Sequence, residues 1–145
     1  MHLFWISSVS AFIASYAAKL LADAYLDQRV ALIGDVAGLQ YSRNPGIAFG
    51  LRLPDGFQEL FIVCALVFVC VLAWKSANTA ISKTGYGFIV GGALGNVIDR
   101  SLDGFVTDFV QVGDFPIFNV ADSFITVGVV FLLAESIALS RRDKV

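Results

Sequence analysis

Histidine is almost missing from this chain of 145 residues: His2 is the only one. A histidine zinc site and a Ser-His-Asp triad are therefore excluded. Cysteine is scarce too. Cys64 and Cys70 stand six apart in one apolar run, about 240° around a helix, so they do not share a face. That argues against a disulfide or a metal pair and favours two thiols facing lipid or core. Charge is thin, with 15% of residues charged against about 25% in soluble domains. The net charge of −2 offers no basic field for nucleic acid, and no basic-aromatic motif appears. No metal and no cofactor is expected.

Apolar residues are abundant, at 57% of the chain. A soluble domain of this size could not hide that much apolar surface. Four spans can be drawn, over about 3–22, 57–74, 84–98 and 118–139. The first lacks a basic stretch after Met1 and is too long for a signal-peptide core, so it reads as a retained helix. The third is short and glycine-rich, and Lys83 could extend it by snorkelling. The expected fold is an all-α membrane protein: one domain over 1–145, a four-transmembrane-helix bundle with a small extramembrane β platform on the outer side. The segment 41–50 reads as strand, turn, strand around Asn44-Pro45-Gly46.

Four spans put both termini on one side. Lys75, Lys83, Arg141, Arg142 and Lys144 fall on that side, against Arg29, Arg43, Arg52 and Arg100 on the other. That bias points the termini toward the cytoplasm.

Two aspartates stand out. Asp108 lies within Phe105-Val106-Thr107-Asp108-Phe109-Val110, and Asp122 lies near the start of the last apolar run. A carboxylate at hydrocarbon depth costs about 2.5–3.5 kcal/mol even on lenient scales. Asn119, Asp122, Ser123 and Thr126 would form one polar stripe on the fourth helix. Gly92, Asn96, Asp99 and Arg100 would form another on the third, with Gly91 and Gly95 allowing close helix approach. Arg100 is placed to orient a carboxylate through two parallel hydrogen bonds. Glu135 points elsewhere and has a structural role near the cytoplasmic end, where Lys or Arg can meet it. An isolated aspartate or asparagine in a membrane can be interhelical glue, and Gly91-Gly92-x-x-Gly95 suits helix packing better than a nucleotide loop. The convergence of Asn44, Asn96, Asp99, Arg100, Asp108, Asn119 and Asp122 at one membrane face favours a proton-sharing acid/base pair, the machinery of an aspartic protease.

Four segments, in order, resemble the lipoprotein signal peptidase (signal peptidase II) family. They are Asn44-Pro45-Gly46-Ile47-Ala48-Phe49-Gly50, Gly91 to Arg100, Val106-Thr107-Asp108-Phe109, and Phe118-Asn119-Val120-Ala121-Asp122-Ser123. The resemblance implies an aspartyl endopeptidase of the bacterial inner membrane. It would remove the signal peptide from prolipoproteins, on the amino side of the diacylglyceryl-modified cysteine, near the outer face. It also implies that Asp108 and Asp122 are the catalytic pair, and that Asn44, Gly46, Asn96, Asp99, Arg100 and Asn119 bind and orient substrate and dyad. Partners would be lipid-modified precursors and membrane lipids, with no nucleic acid, and the chain is expected to be a monomer. The family's first helix usually carries Asp-x-x-x-Lys. Lys19 fits, but Ser15 stands at the acidic position, keeping a hydrogen bond and losing a charge. The competing reading is a non-enzymatic membrane protein that uses the same acids for proton or cation passage or for lipoprotein binding.

Overall fold

A computed structural model describes residues 1–46 and 57–142. Four helices run through it: α1 (His2–Tyr25), α2 (Phe57–Ser76), α3 (Ala80–Asp103) and α4 (Val120–Arg142). Four strands, β1 (Val30–Ile33), β2 (Ala37–Asn44), β3 (Val106–Val112) and β4 (Phe115–Phe118), form one antiparallel sheet in the order β1-β2-β3-β4. The strand expected after the Asn44-Pro45-Gly46 turn lies outside the described residues, as do Arg52 and Lys144.

α1, α2 and α4 are long and apolar enough to cross a membrane. Their outward faces carry large apolar side chains such as Trp5, Phe68 and Leu133, as lipid contact requires. The chain is a membrane protein. The third helix is longer than 84–98. It begins at Ala80, where Thr79 accepts from the Ser82 N–H and Ser82 answers in a capping box, and it ends at Gly104 with φ of 86°. Lys83 reaches back to the Asn78 carbonyl at 3.0 Å. At 1.5 Å per residue its 24 residues exceed a core about 30 Å thick. The fourth helix starts at Val120 rather than 118, because Phe118 belongs to β4.

α3 is seated between α1 and α4, and glycines make the approach possible. A Cβ on Gly91 would stand 2.2 Å from the Ser8 carbonyl oxygen, and one on Gly92 would stand 2.6 Å from that of Ala121. Gly91 and Gly95 thus face α1 while Gly92 faces α4, so the small residues of α3 serve two helix seams. Cys64 and Cys70 are free and point outward from α2. Among the described residues the partner of Glu135 is the Thr79 hydroxyl just before α3, in place of the expected lysine or arginine.

β2 and β3 are distant in sequence yet pair Ser42 with Asp108 and Asn44 with Val106. The valines and Thr107 of β3 and Leu39 and Tyr41 of β2 suit a pleated, half-buried surface. This pairing stands the sheet where α1 and α3 end and α4 begins, which fixes the place of the site.

Candidate active site

Asp108 is buried on β3. Because Asn44 lies opposite Val106, Asp108 is its diagonal neighbour on the same face of the sheet. Asn44 Nδ2 donates to Asp108 Oδ2 at 2.9 Å, and Asn119 Nδ2 donates to Asp108 Oδ1 at 2.8 Å. On the other side, Asn96 Nδ2 donates to Asp122 Oδ1 at 2.8 Å. Asn119 precedes α4 and closes a reciprocal cap. Its Oδ1 accepts from the Asp122 N–H at 3.0 Å, and Asp122 Oδ2 accepts from the Asn119 N–H at 3.1 Å. Asn119 Nδ2 also donates to Asn96 Oδ1 at 3.1 Å. The two carboxyls are therefore held by one connected set of amides, with Asn119 touching both.

Burial pushes the Asp108 carboxyl up from 3.8 to about 6. The Asn44 hydrogen bond opposes that rise, the negative charge of Asp122 adds to it, and the Asn119 hydrogen bond opposes it again. A carboxyl placed there holds a proton over a range where an ordinary aspartate would not.

Both carboxyls line one cavity of about 880 Å³. α3 contributes Ile89, Ala93 and Asn96 to it; Phe61, Ala65 and Val69 of α2 and Ile125 and Val127 of α4 stand to either side. Its walls are mostly apolar, and Asn44, Asn96, Arg100, Asp108 and Asp122 gather its charged and amide groups. Ser123 and Thr126 of the expected stripe line this cavity rather than a packed interface.

Arg100 is buried, and its hydrogen bonds differ from the expected carboxylate pair. Its guanidinium donates to the carbonyl oxygens of Asn44, at 3.2 Å, and of Gly46. The Gly46 N–H closes the turn by donating to Asn44 Oδ1 at 2.9 Å, and Gln58 of α2 donates to the Pro45 carbonyl at 2.9 Å. Arg100 thus fixes the loop that presents Asn44. Asp99 is also buried; its Oδ2 accepts from the Thr107 N–H at 2.6 Å, beside Asp108. All eight sequence-predicted residues therefore fall into one region. Gln58 was missed, and its signal was a polar pair, Gln58-Glu59, in the first turn of an otherwise apolar helix. Ser15 does not take the place of an acid beside Lys19, since its hydroxyl donates to the Ala11 carbonyl of its own helix at 2.7 Å. The acid is Asp23, one turn later, at 2.6 Å from Lys19.

The family model for signal peptidase (SPase) II matches residues 8–138. The chain belongs to the signal peptidase II family. It is 36% identical to a lipoprotein signal peptidase of Caldicellulosiruptor bescii over 89% of this chain and 87% of that one. It is also 36% identical to that of Nostoc punctiforme, over 93% and 89%. A bacterial membrane enzyme solved by the in meso method at 2.3 Å resolution superposes with a TM-score of 0.85 at 28% identity, covering 95% of this chain and 89% of the other. A second, at 1.9 Å resolution, gives 0.82 at 26% identity over 93% and 92%. This signal peptidase II member is therefore a peptidase, and the non-enzymatic reading is set aside.

Proposed function

We propose that this peptidase removes the signal peptide from prolipoproteins through an Asp108–Asp122 dyad that shares one proton. The observation that carries this reading is the joint placement of both carboxyls on one apolar cavity, tied together through Asn96 and Asn119. The ionised member takes a proton from water, whose oxygen attacks the scissile carbonyl carbon. The protonated member polarises that carbonyl and later gives its proton to the leaving amine as the C–N bond breaks. The two apparent pKa values belong to the pair.

Asn44, Asn96 and Asn119 keep the carboxyls in place, while Arg100 and Gly46 hold the turn that carries Asn44. A lipid-bearing precursor suits the cavity: its apolar signal stretch meets the side chains of α2 and α4, and its cleavage site meets the polar end. Cleavage falls on the amino side of the diacylglyceryl-modified cysteine. All four helices cross the bacterial inner membrane, with the sheet and active site at the outer face and both termini in the cytoplasm. The polar groups of the site come from one chain, so a monomer suffices.

Purified protein incubated with a diacylglyceryl-modified precursor and read by mass is expected to yield two products divided just before the modified cysteine. Products divided elsewhere, or equal cleavage of the unmodified precursor, would contradict the substrate assignment.

A further inference from the structure

The sheet has a second side. Val106 and Asp108 face the large cavity, whereas Thr107 and Phe109 alternate to the opposite face and line a separate cavity of about 10 Å³. Lys19, Asp99, Asn96 and Asn119 share that smaller cavity. Lys19 Nζ lies 2.6 Å from Asp23 Oδ2 and 3.4 Å from Asp99 Oδ1. The other oxygen of Asp99 accepts the Thr107 N–H at 2.6 Å, and Asp23 accepts the Tyr41 hydroxyl of β2 at 2.9 Å. One run of ion pairs and hydrogen bonds thus joins α1, α3, β2 and β3, and it ends on the N–H of Thr107, the residue before Asp108.

We propose that Lys19 is a positioning residue for Asp108, acting through Asp99 and the Thr107 backbone, with Asp23 as its second counter-charge. This rests on the dyad reading above. Asp99 is buried, and the Lys19 ammonium is the cation set against it. With one carboxylate oxygen turned to Lys19, the other is aimed at the Thr107 N–H in a short hydrogen bond. Without Lys19 the Asp99 side chain loses the contact that orients it, which loosens β3 where Asp108 is attached. The groups facing Lys19 are Asp23 and Tyr16 on its own helix, Asp99 on α3 with Arg100 beside it, and Tyr41 of β2 through Asp23; Asn119, the cap of α4, and Ala121 of α4 also line the small cavity and are uncharged. Asp108 lies on the other face of β3.

The test is steady-state cleavage of the lipid-modified precursor as a function of pH, with melting temperatures alongside. Lys19→Met is expected to lower kcat about tenfold or more with KM within about twofold, since misplacing a catalytic group costs rate. Removing a cation also disfavours the ionised dyad, so the alkaline limb of kcat/KM moves up by about half a pH unit. Asp23→Asn removes an anion and is expected to move that limb down. Lys19→Arg is expected to restore most of kcat. Unchanged kcat and an unmoved limb in Lys19→Met, with only a lower Tm, would overturn the proposal. If Lys19→Met does not fold, Asp23→Asn decides: a downward shift supports the role and no shift overturns it. Asp108→Asn run in parallel separates the two levels. Activity retained there defeats the dyad itself, whereas an inactive Asp108→Asn beside a Lys19→Met of wild-type behaviour defeats only the positioning role.

Discussion

α3 and α2 are neighbouring helices built in opposite ways. α3 buries nine residues, four of them among the glycines and polar groups from Gly91 to Asp99, and lies wedged between α1 and α4. α2 buries only Gln58 and Ala73 and leaves most of its surface to lipid or to the cavity. The difference separates two tasks. Asn96, Asp99 and Arg100 need a rigid carrier, because hydrogen bonds of 2.6–2.8 Å to Asp122 and Thr107 tolerate little motion. α2 instead supplies apolar wall to the cavity through Phe61, Ala65 and Val69.

The comparison can be broken first on its tight side. Asn119→Ala removes the amide that touches both carboxyls, and kcat is expected to fall about 100-fold with little change in KM. Gly87→Val comes next. A Cβ there would stand 1.9 Å from Ser7 Oγ and 2.6 Å from the Phe4 carbonyl oxygen, so α1 and α3 must part. A loss of about 1–3 kcal/mol is expected, seen as a lower melting temperature in detergent. On the loose side, Ala65→Leu is expected to raise KM several-fold while Tm holds, since Ala65 lines the cavity from α2. Equal Tm losses in Gly87→Val and Ala65→Leu would erase the distinction between the helices.

The pH profile sharpens it further. The raised Asp108 carboxyl binds a proton more tightly in the folded protein than in the unfolded chain. The cost of ionising it is absent below the ordinary aspartate value of 3.8 and is fully present above about 6. Stability contributed by this group is thus expected to decline as pH rises through that window. The singly protonated dyad is lost at the upper end, so kcat/KM is expected to fall as pH rises through about 6. The smallest effect is reserved for Cys64→Ser, which faces outward and is expected to leave both kcat and Tm unchanged.

Much of this was legible in the sequence because membrane physics narrows the choices. Asp108 and Asp122 cost too much in an apolar run to be casual, and Gly91, Gly92 and Gly95 announced a close helix contact. What pattern reading could not supply was the third dimension. Helical offsets put Asn119 inside the fourth helix, whereas β4 runs to Phe118 and makes Asn119 the cap. Arg100 was matched to a carboxylate by charge, but the fold brings it two backbone carbonyls instead. Asp23 was invisible as a partner of Lys19, because a motif fixed one spacing and the helix allows the next turn equally well. Gln58 gained its place only when α2 met the Asn44-Pro45-Gly46 turn.

The most direct measurement is single-turnover cleavage of a diacylglyceryl-modified precursor by Asp108→Asn and Asp122→Asn, each shown by its melting curve to be folded. A loss of about 1,000-fold or more is predicted for each, since neither amide can carry a proton between water and the leaving amine. Near wild-type cleavage by either folded variant would contradict a shared-proton dyad.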